Sequence, residues 1–318
     1  MFIASKTAFN VYSKFNTLRK YPEIAPLFPT KLHAYYDQTE RNLSRFGRLM
    51  NSDEITEKVK IGGVQDGKSL KNHWNAAWIS YMLQLDDWLL KGDLHHIIFR
   101  KLALQRAIHA RLMNAHATIK QLVILGSGID HLGWLFSDKC TSFELDIEPM
   151  ISYKMKLLPT LNQKVHLIDF DAMNDSLEQS LTLDSAFNSS EACLFITEGF
   201  IDYIPRKNLQ SLLSQIKRLH PENEWISTHF DRSLLSSKQR FFFELGVQIT
   251  GEQLQTNLTK EHIISIGCNN GFVLVHEWAG LPDLLDKQTI PINSKLNAIE
   301  KKVLNRKNMN GCTIMHFK

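Results

Sequence analysis

The sequence predicts an α/β protein: a mostly parallel seven-stranded sheet whose last strand runs antiparallel. A helical region precedes the sheet, and a helical cap interrupts it. Three observations carry this expectation. From residue 120 onward, short apolar runs alternate with helix-period segments, which is the pattern of a parallel sheet covered by helices. One of those runs ends in a two-glycine turn, Leu125-Gly-Ser-Gly-Ile-Asp130. Acidic residues close the second, third and fourth runs. The chain divides accordingly into an N-terminal helical region over 1–115 and a sheet domain over 116–318, with the cap at about 231–266.

Within the first region, Tyr21–Pro29 is a proline-punctuated connector and Ile61–Gly67 a glycine loop. Trp74, Ala77, Trp78, Tyr81, Met82, Leu85 and Trp88 recur at three- and four-residue steps, which makes one apolar helix face. Another helix is expected from about Leu94 to His116. The first strand is Leu122–Leu125, the second Phe143–Leu145, and a helix follows over Met150–Leu158. Val165–Ile168 is the third strand, with a helix near Ser176–Leu181. Cys193–Thr197 is the fourth, followed by a helix over Leu209–Leu219, and Trp225–Phe230 is the fifth. The alternation then breaks at an apolar helical stretch, Arg240–Gly246. Phe272–Trp278 and Cys312–Phe317 are joined by a long polar stretch, so they are expected to pair antiparallel. Right-handed crossovers put the C-terminal ends of the parallel strands on one edge, where ligands bind.

Composition narrows the function. The 318 residues are 43% hydrophobic and 22% charged, ordinary for a soluble globular protein. A net charge of +4 without a dense Lys/Arg block gives no strong nucleic-acid signal. No apolar run approaches a membrane span and the N-terminus lacks a signal-peptide core, so a cytoplasmic location is expected. The cysteines, Cys140, Cys193, Cys268 and Cys312, form no C-x-x-C pair, which argues against zinc-ribbon or dithiol chemistry.

The glycine turn is the first half of a nucleotide-type cofactor site. Gly126 and Gly128 allow close approach of a ligand to the main chain. An acid at the tip of the next strand, Asp146, suits the two hydroxyls of a ribose. A dinucleotide turn would carry a third glycine at 131 to clear a helix N-terminus for pyrophosphate, but the residue there is His131. S-adenosyl-L-methionine has an adenosine and an amino-acid tail and no phosphate, so it fits this turn better than NAD. An NAD-dependent oxidoreductase and a non-catalytic cofactor-binding protein are the alternatives. Further candidates for the cofactor are Ser127, Asp130, Glu144, Asp169 and Phe170 beside the adenine, and Glu198 at the amino-acid end. The tail's carboxylate calls for a cation, and Arg pairs bidentately with carboxylates. Of Arg100, Arg106 and Arg111, Arg100 is the choice.

Three stretches together resemble the leucine carboxyl methyltransferase family of S-adenosylmethionine-dependent enzymes. Leu125-Gly-Ser-Gly-Ile-Asp130 is similar to the family's L-G-A-G-x-D. Phe143-Glu-Leu-Asp-Ile-Glu-Pro149 is similar to F-E-V-D-x-P, with one extra residue before the proline. Ile196-Thr-Glu-Gly-Phe-Ile-Asp-Tyr-Ile-Pro205 is similar to I-A-E-G-x-x-x-Y-(L/M), and Gly271-Phe272 resembles a closing G-F. The resemblance covers roughly residues 95–280. It implies a Rossmann-like methyltransferase fold and cofactor roles for Arg100, Gly126, Asp146, Asp169 and Glu198. Phe170-Asp171 stands where the family often has L-R-D, so a charge is lost there. The first 90 residues show no family pattern, and that region shapes the substrate pocket.

The expected reaction is in-line methyl transfer to an oxygen acceptor, a carboxylate of a small molecule or peptide. A carboxylate is already ionised at neutral pH and needs orientation rather than a base. Tyr203 is the first candidate for that duty, with His229 and Arg232 behind it. A hydroxyl acceptor would need a base, for which His229 or His131 is available.

Overall fold

The computed structural model describes residues 5–20, 24–53, 93–113, 119–158, 165–249, 252–279 and 312–318. The predicted glycine loop at 61–67 and the tryptophan-rich helix at 74–88 lie outside these residues, as does the end of the helix expected to reach His116.

The strands are β1 (Gln121–Leu125), β2 (Thr141–Asp146), β3 (Val165–Asp169), β4 (Cys193–Thr197), β5 (Glu224–Phe230), β6 (Leu274–Ala279) and β7 (Cys312–Phe317). They form one seven-stranded sheet in the order β3-β2-β1-β4-β5-β7-β6. Neighbours among β1 to β5 are parallel, and β7 is antiparallel to both β5 and β6. The predicted sheet, with its antiparallel last strand, is therefore present. The order reverses between β1 and β4, where Leu125 lies opposite Thr197. Gly126 and Glu198, the next residue of each strand, thus flank the crevice that such a reversal opens.

Strand periodicity splits the core into two layers. Leu122 and Ile124 of β1 face one buried cluster, while Val123 and Leu125 face the other. The first layer holds α1 (Lys6–Leu18), α2 (Thr30–Asp53), α3 (Asp93–Leu112), α4 (Leu132–Phe136) and α5 (Glu148–Leu157). Tyr12, Phe15, Leu32, Tyr35 and Tyr36 belong to the same cluster as Leu122 and Ile124. The described N-terminal helices therefore share a core with the sheet. The second layer holds α6 (Leu177–Thr182), α7 (Arg206–Leu219) and α9 (Lys260–Asn269). In α7 the buried residues Leu209, Leu212, Leu213 and Ile216 recur at helical spacing. Each such side chain contributes about 1.5–3 kcal/mol on burial.

The cap region holds two different parts. A 3-10 turn at Arg232–Leu234 and α8 (Ser237–Ile249) follow β5, then extended chain runs to Thr259. From Thr259 the chain enters α9, whose Ile263 and Ile266 are fully buried against the sheet. A side chain at Gly267 would crowd Phe317. The expected cap at 231–266 thus ends near 259, and α9 is a covering helix of the second layer. Thr259 gives the local signal: its side chain accepts from His262 N, and His262 answers the Thr259 backbone in a capping box.

Candidate cofactor and acceptor site

The glycine turn is built from backbone requirements. Gly126 and Gly128 have φ of +67° and +49°, where a side chain is strained. At Gly126 a Cβ would overlap the Phe200 ring, and at Gly128 it would crowd Ala8 of α1. The amides of Gly126 and Ser127 donate to the Leu145 carbonyl at 2.8 and 3.1 Å, so β2 holds the turn. Asp146 then uses both oxygens on main chain: Oδ2 accepts from Gly128 N and Oδ1 from Ile147 N, each at 2.8 Å. Burial pushes its carboxyl pKa up, with the two amides pulling the other way. Asp146 and Asp169 are register partners at the tips of β2 and β3, and Phe170 N donates to the Asp146 carbonyl at 2.9 Å. Asp169 is exposed at the edge and Phe170 is buried. Ser127 is buried, and its hydroxyl has no hydrogen-bond partner among the described residues.

Glu144 does not sit at the strand end as expected. It lies inside β2, and strand alternation turns it into the first helical layer, where it is fully buried. There it pairs with the equally buried Lys154 and accepts from Gly133 N at 3.1 Å. Burial raises its pKa, opposed by Lys154. A side chain at 133 would overlap the Glu144 carboxylate, so Gly133 serves this ion pair. Lys154 also donates to the Asp130 carbonyl at 2.9 Å, and the Tyr35 hydroxyl donates to the same oxygen at 2.7 Å. Glu144 is thus a strut beneath the turn.

A charge cluster closes the crevice on the β4 side. Arg100 Nε donates to Glu198 Oε1 at 3.0 Å, and Lys101 Nζ to Glu198 Oε2 at 2.8 Å. Lys101 is buried and also pairs with Asp130 Oδ2. Asp130 Oδ1 accepts from His131 N at 2.6 Å. Burial acts to raise the Asp130 pKa, but Lys101 and His131 outweigh it and hold the carboxyl well below its usual range. Asp130 is therefore committed to the protein. The same burial would lower the Lys101 pKa, yet Asp130 and Glu198 together raise it. His131 is fully buried: Nδ1 lies 3.0 Å from the Tyr36 hydroxyl and Nε2 2.6 Å from Gln105 Nε2, and burial lowers its pKa. Enclosed in this way, it is not placed to act as a base. Among the arginines weighed from sequence, Arg111 pairs bidentately with Glu224 at the start of β5, the opposite edge. Lys101 adjoins Arg100 but carries no sequence signal for this place, since the bidentate pairing that singles out a carboxylate partner belongs to arginine.

The acceptor candidates gather beyond β4 and β5. Tyr203 is half-buried on the 3-10 turn Ile201–Tyr203. That turn is tied to the cap chain, since the Asp202 carbonyl accepts from Gln255 N at 2.8 Å. Arg232 reaches the Thr256 carbonyl with Nη2, Glu244 with Nη1 at 3.2 Å, and Asp202 at 3.9 Å. Its Nε is buried without a partner among the described residues. Burial pushes the Asp202 carboxyl up to about 6 against the pull of Arg232. His229, near the end of β5, is 2% exposed, and burial takes its imidazole down to about 4. The Leu258 backbone approaches the ring, but neither nitrogen makes a hydrogen bond of normal geometry among the described residues. The start of α1 meets the cap over the glycine edge: Ser5 Oγ donates to Glu252 Oε1 at 2.5 Å. Glu252 in turn acts on Asp146 electrostatically.

Comparison with known proteins agrees with this architecture. Residues 74–217 match the family model described as leucine carboxyl methyltransferase, a span that starts before the recognisable motifs and stops short of Gly271-Phe272. Two relatives bear the name S-adenosyl-L-methionine-dependent methyltransferase. One, from Mycobacterium ulcerans, is 29% identical over 36% of this chain and 38% of its own length. The other, from Mycobacterium marinum, is 30% identical over the same shares. The chain thus spans about two-fifths of the curated relatives it matches. A methyltransferase crystal structure from Thermobifida fusca superposes at a TM-score of 0.53 and 14% identity, over 76% of this chain and 88% of that one. The two-glycine turn, the β2 acid and the E-G-F-I-D-Y turn all lie inside the matched span, so residues 74–217 are similar to the leucine carboxyl methyltransferase family, and the relatives are named for S-adenosyl-L-methionine.

Proposed function

We propose that the protein transfers the methyl group of S-adenosyl-L-methionine to an oxygen acceptor, a carboxylate of a small molecule or peptide. The observation that carries this reading is the meeting of three features at the β1/β4 reversal. These are two positive-φ glycines, the Asp146 carboxylate behind them, and Glu198 bracketed by Arg100 and Lys101. The residues present fit such a cofactor: Gly199, with φ +61°, has open space where a side chain would stand. His131 stands where a dinucleotide turn would carry its third glycine, and its ring is buried against Phe15.

When bound, the cofactor supplies an electrophilic methyl on a sulfonium. Asp146 takes the ribose hydroxyls, Asp169 and Phe170 border the adenine, and Arg100 and Glu198 hold the amino-acid end. Gly126, Ser127 and Gly128 allow main-chain approach. Tyr203 orients the acceptor oxygen, and Arg232 offsets its charge. The N-terminal region and the cap exclude water from the transfer, a role supported by the Ser5–Glu252 contact.

A hydroxyl acceptor is the second reading, favoured by one observation. With its pKa near 4, His229 is neutral at pH 7, so it is a weak base that can accept a hydrogen bond from an acceptor hydroxyl and orient it. Calorimetry with S-adenosylhomocysteine and NAD tests the cofactor; tight NAD binding without an adenosylhomocysteine signal would end the proposal. Transfer of radiolabelled methyl into a metabolite extract tests the acceptor. A methyl ester releases labelled methanol in mild base, whereas an ether does not.

A further inference from the structure

We propose that Lys101 is the positioning residue for the cofactor's amino-acid end. One buried ammonium fixes Glu198 and Asp130 in place, so that Glu198 presents a set geometry to an incoming ammonium group. This inference rests on the cofactor reading above and extends it to a residue that the motifs do not include.

The argument starts from the helix. Arg100 and Lys101 are consecutive on α3, so they leave the helix about 100° apart. Both nevertheless end on the Glu198 carboxylate, one on each oxygen, at 3.0 and 2.8 Å. Their exposures differ: the Arg100 side chain is 14% exposed and the Lys101 side chain 5%. Arg100 therefore keeps more contact with solvent, while Lys101 is the more deeply buried of the two. Lys101 divides its donors between Glu198 and Asp130, one acid from each side of the β1/β4 reversal.

Charge makes the same point. Among the described residues the ion pairs join two cations, Arg100 and Lys101, to two acids, Asp130 and Glu198. A zwitterionic amino-acid group enters such a set without changing its balance. Without Lys101, two acids share one cation in a site closed from water, where an unpaired charge is costly. Glu198 would then lose the donor that fixes its second oxygen, and the ammonium of a ligand would meet a mobile carboxylate. The ribose and adenine would feel nothing, because Asp146 and Asp169 lie on β2 and β3, held by main-chain bonds that do not involve Lys101.

Two ligands that differ only in the tail provide the test. S-adenosylhomocysteine carries the amino-acid group, and 5′-methylthioadenosine lacks it. In Lys101→Met we expect S-adenosylhomocysteine affinity to fall about tenfold or more, the scale of one charge-assisted hydrogen bond. Methylthioadenosine affinity should stay within about twofold of the wild type. The double variant Lys101→Met/Asp130→Asn removes the uncompensated acid and protects the fold. It should show the same selective loss, since Glu198 still lacks its second cation. Thermal unfolding checks that each variant is native. Equal loss of both ligands, or no loss of either, in a folded variant overturns the assignment. A wild type that binds neither ligand overturns the cofactor reading itself.

Discussion

The corner around the glycine turn and the corner beyond β5 treat buried polar groups in opposite ways. At the glycine turn nearly every charge has an internal partner. Asp146 takes two amides, Glu198 takes two cations, Asp130 takes Lys101 and His131, and Glu144 takes Lys154. The Ser127 hydroxyl is the exception. Beyond β5, among the described residues, both His229 nitrogens and Arg232 Nε are buried without partners, and Asp202 is pushed up to about 6. A saturated corner is preorganised, so a ligand meets fixed groups and little has to move. Orphaned polar atoms weaken the fold, and natural proteins retain them where chemistry needs them. The contrast therefore separates a corner whose polar groups are satisfied within the protein from one that, among the described residues, carries orphans.

The largest expected effect strikes the saturated corner from below. Lys154→Met leaves the fully buried Glu144 uncompensated and removes a donor from the Asp130 carbonyl. Breaking a buried pair from one side costs about 3–5 kcal/mol. Urea unfolding should show a loss of that order, and Glu144→Gln/Lys154→Met should recover much of it. If Lys154→Met is as stable as the wild type, the corner is not held by its ion pairs.

Next in size is Asp146→Ala. The variant frees the Gly128 and Ile147 amides and removes the acid assigned to the ribose. Cofactor binding should weaken by about 1–3 kcal/mol while the fold persists, because the residue stands at a strand tip. Calorimetry of S-adenosylhomocysteine with folded Asp146→Ala decides it; an unchanged dissociation constant would place Asp146 outside the site.

How much of this was legible in the sequence follows from which interactions are local. Apolar runs and glycine turns are local, so the strands from β1 to β5 and the order of the motifs could be read directly. Asp146 was legible for the same reason: strand, turn and acid follow one another in the chain. Glu144 was misplaced because two acids two residues apart lie on the same strand face, and depth along that face depends on where the strand ends. Lys101 was missed because its partners, Asp130 and Glu198, lie 29 and 97 residues away. Such a pairing exists only once β1 and β4 are neighbours. The helix at Lys260–Asn269 was absorbed into the cap because its buried face is short, Ile263, Ile266 and Gly267. His131 could be seen to exclude a third glycine, but the Tyr36 and Gln105 contacts that enclose it are tertiary.

A smaller effect is expected where the two corners meet over the edge. Ser5 caps α1, accepting from Ala8 N at 2.9 Å, and its hydroxyl reaches Glu252 on the cap chain. Ser5→Ala should cost about 0.5–2 kcal/mol of stability, as for other helix caps. The comparison is sharpened by a second readout. If this contact closes the edge, the variant should also release bound S-adenosylhomocysteine faster in stopped-flow experiments. A change in stability alone would make Ser5 a cap and nothing more.

The smallest stability change is expected at His229, and it separates the corners most cleanly. Replacing a partnered buried group leaves something unsatisfied; replacing an orphan leaves nothing unsatisfied. His229→Leu, close in volume, should therefore alter stability at pH 7 by less than about 1 kcal/mol. Methyl transfer should be lost if the histidine serves the acceptor. The pH dependence follows from its lowered pKa, about 4 in the folded protein against 6.5 ordinarily. Between those values the unfolded chain binds a proton that the folded protein refuses. The stability from a neutral His229 is thus complete above about pH 6.5 and is lost as pH falls toward 4. Urea titrations at pH 7, 5.5 and 4.5 should give a steeper decline for the wild type than for His229→Leu. Parallel declines would mean that His229 is protonated as easily in the folded protein as in the unfolded chain, and the contrast between the corners would fail at His229.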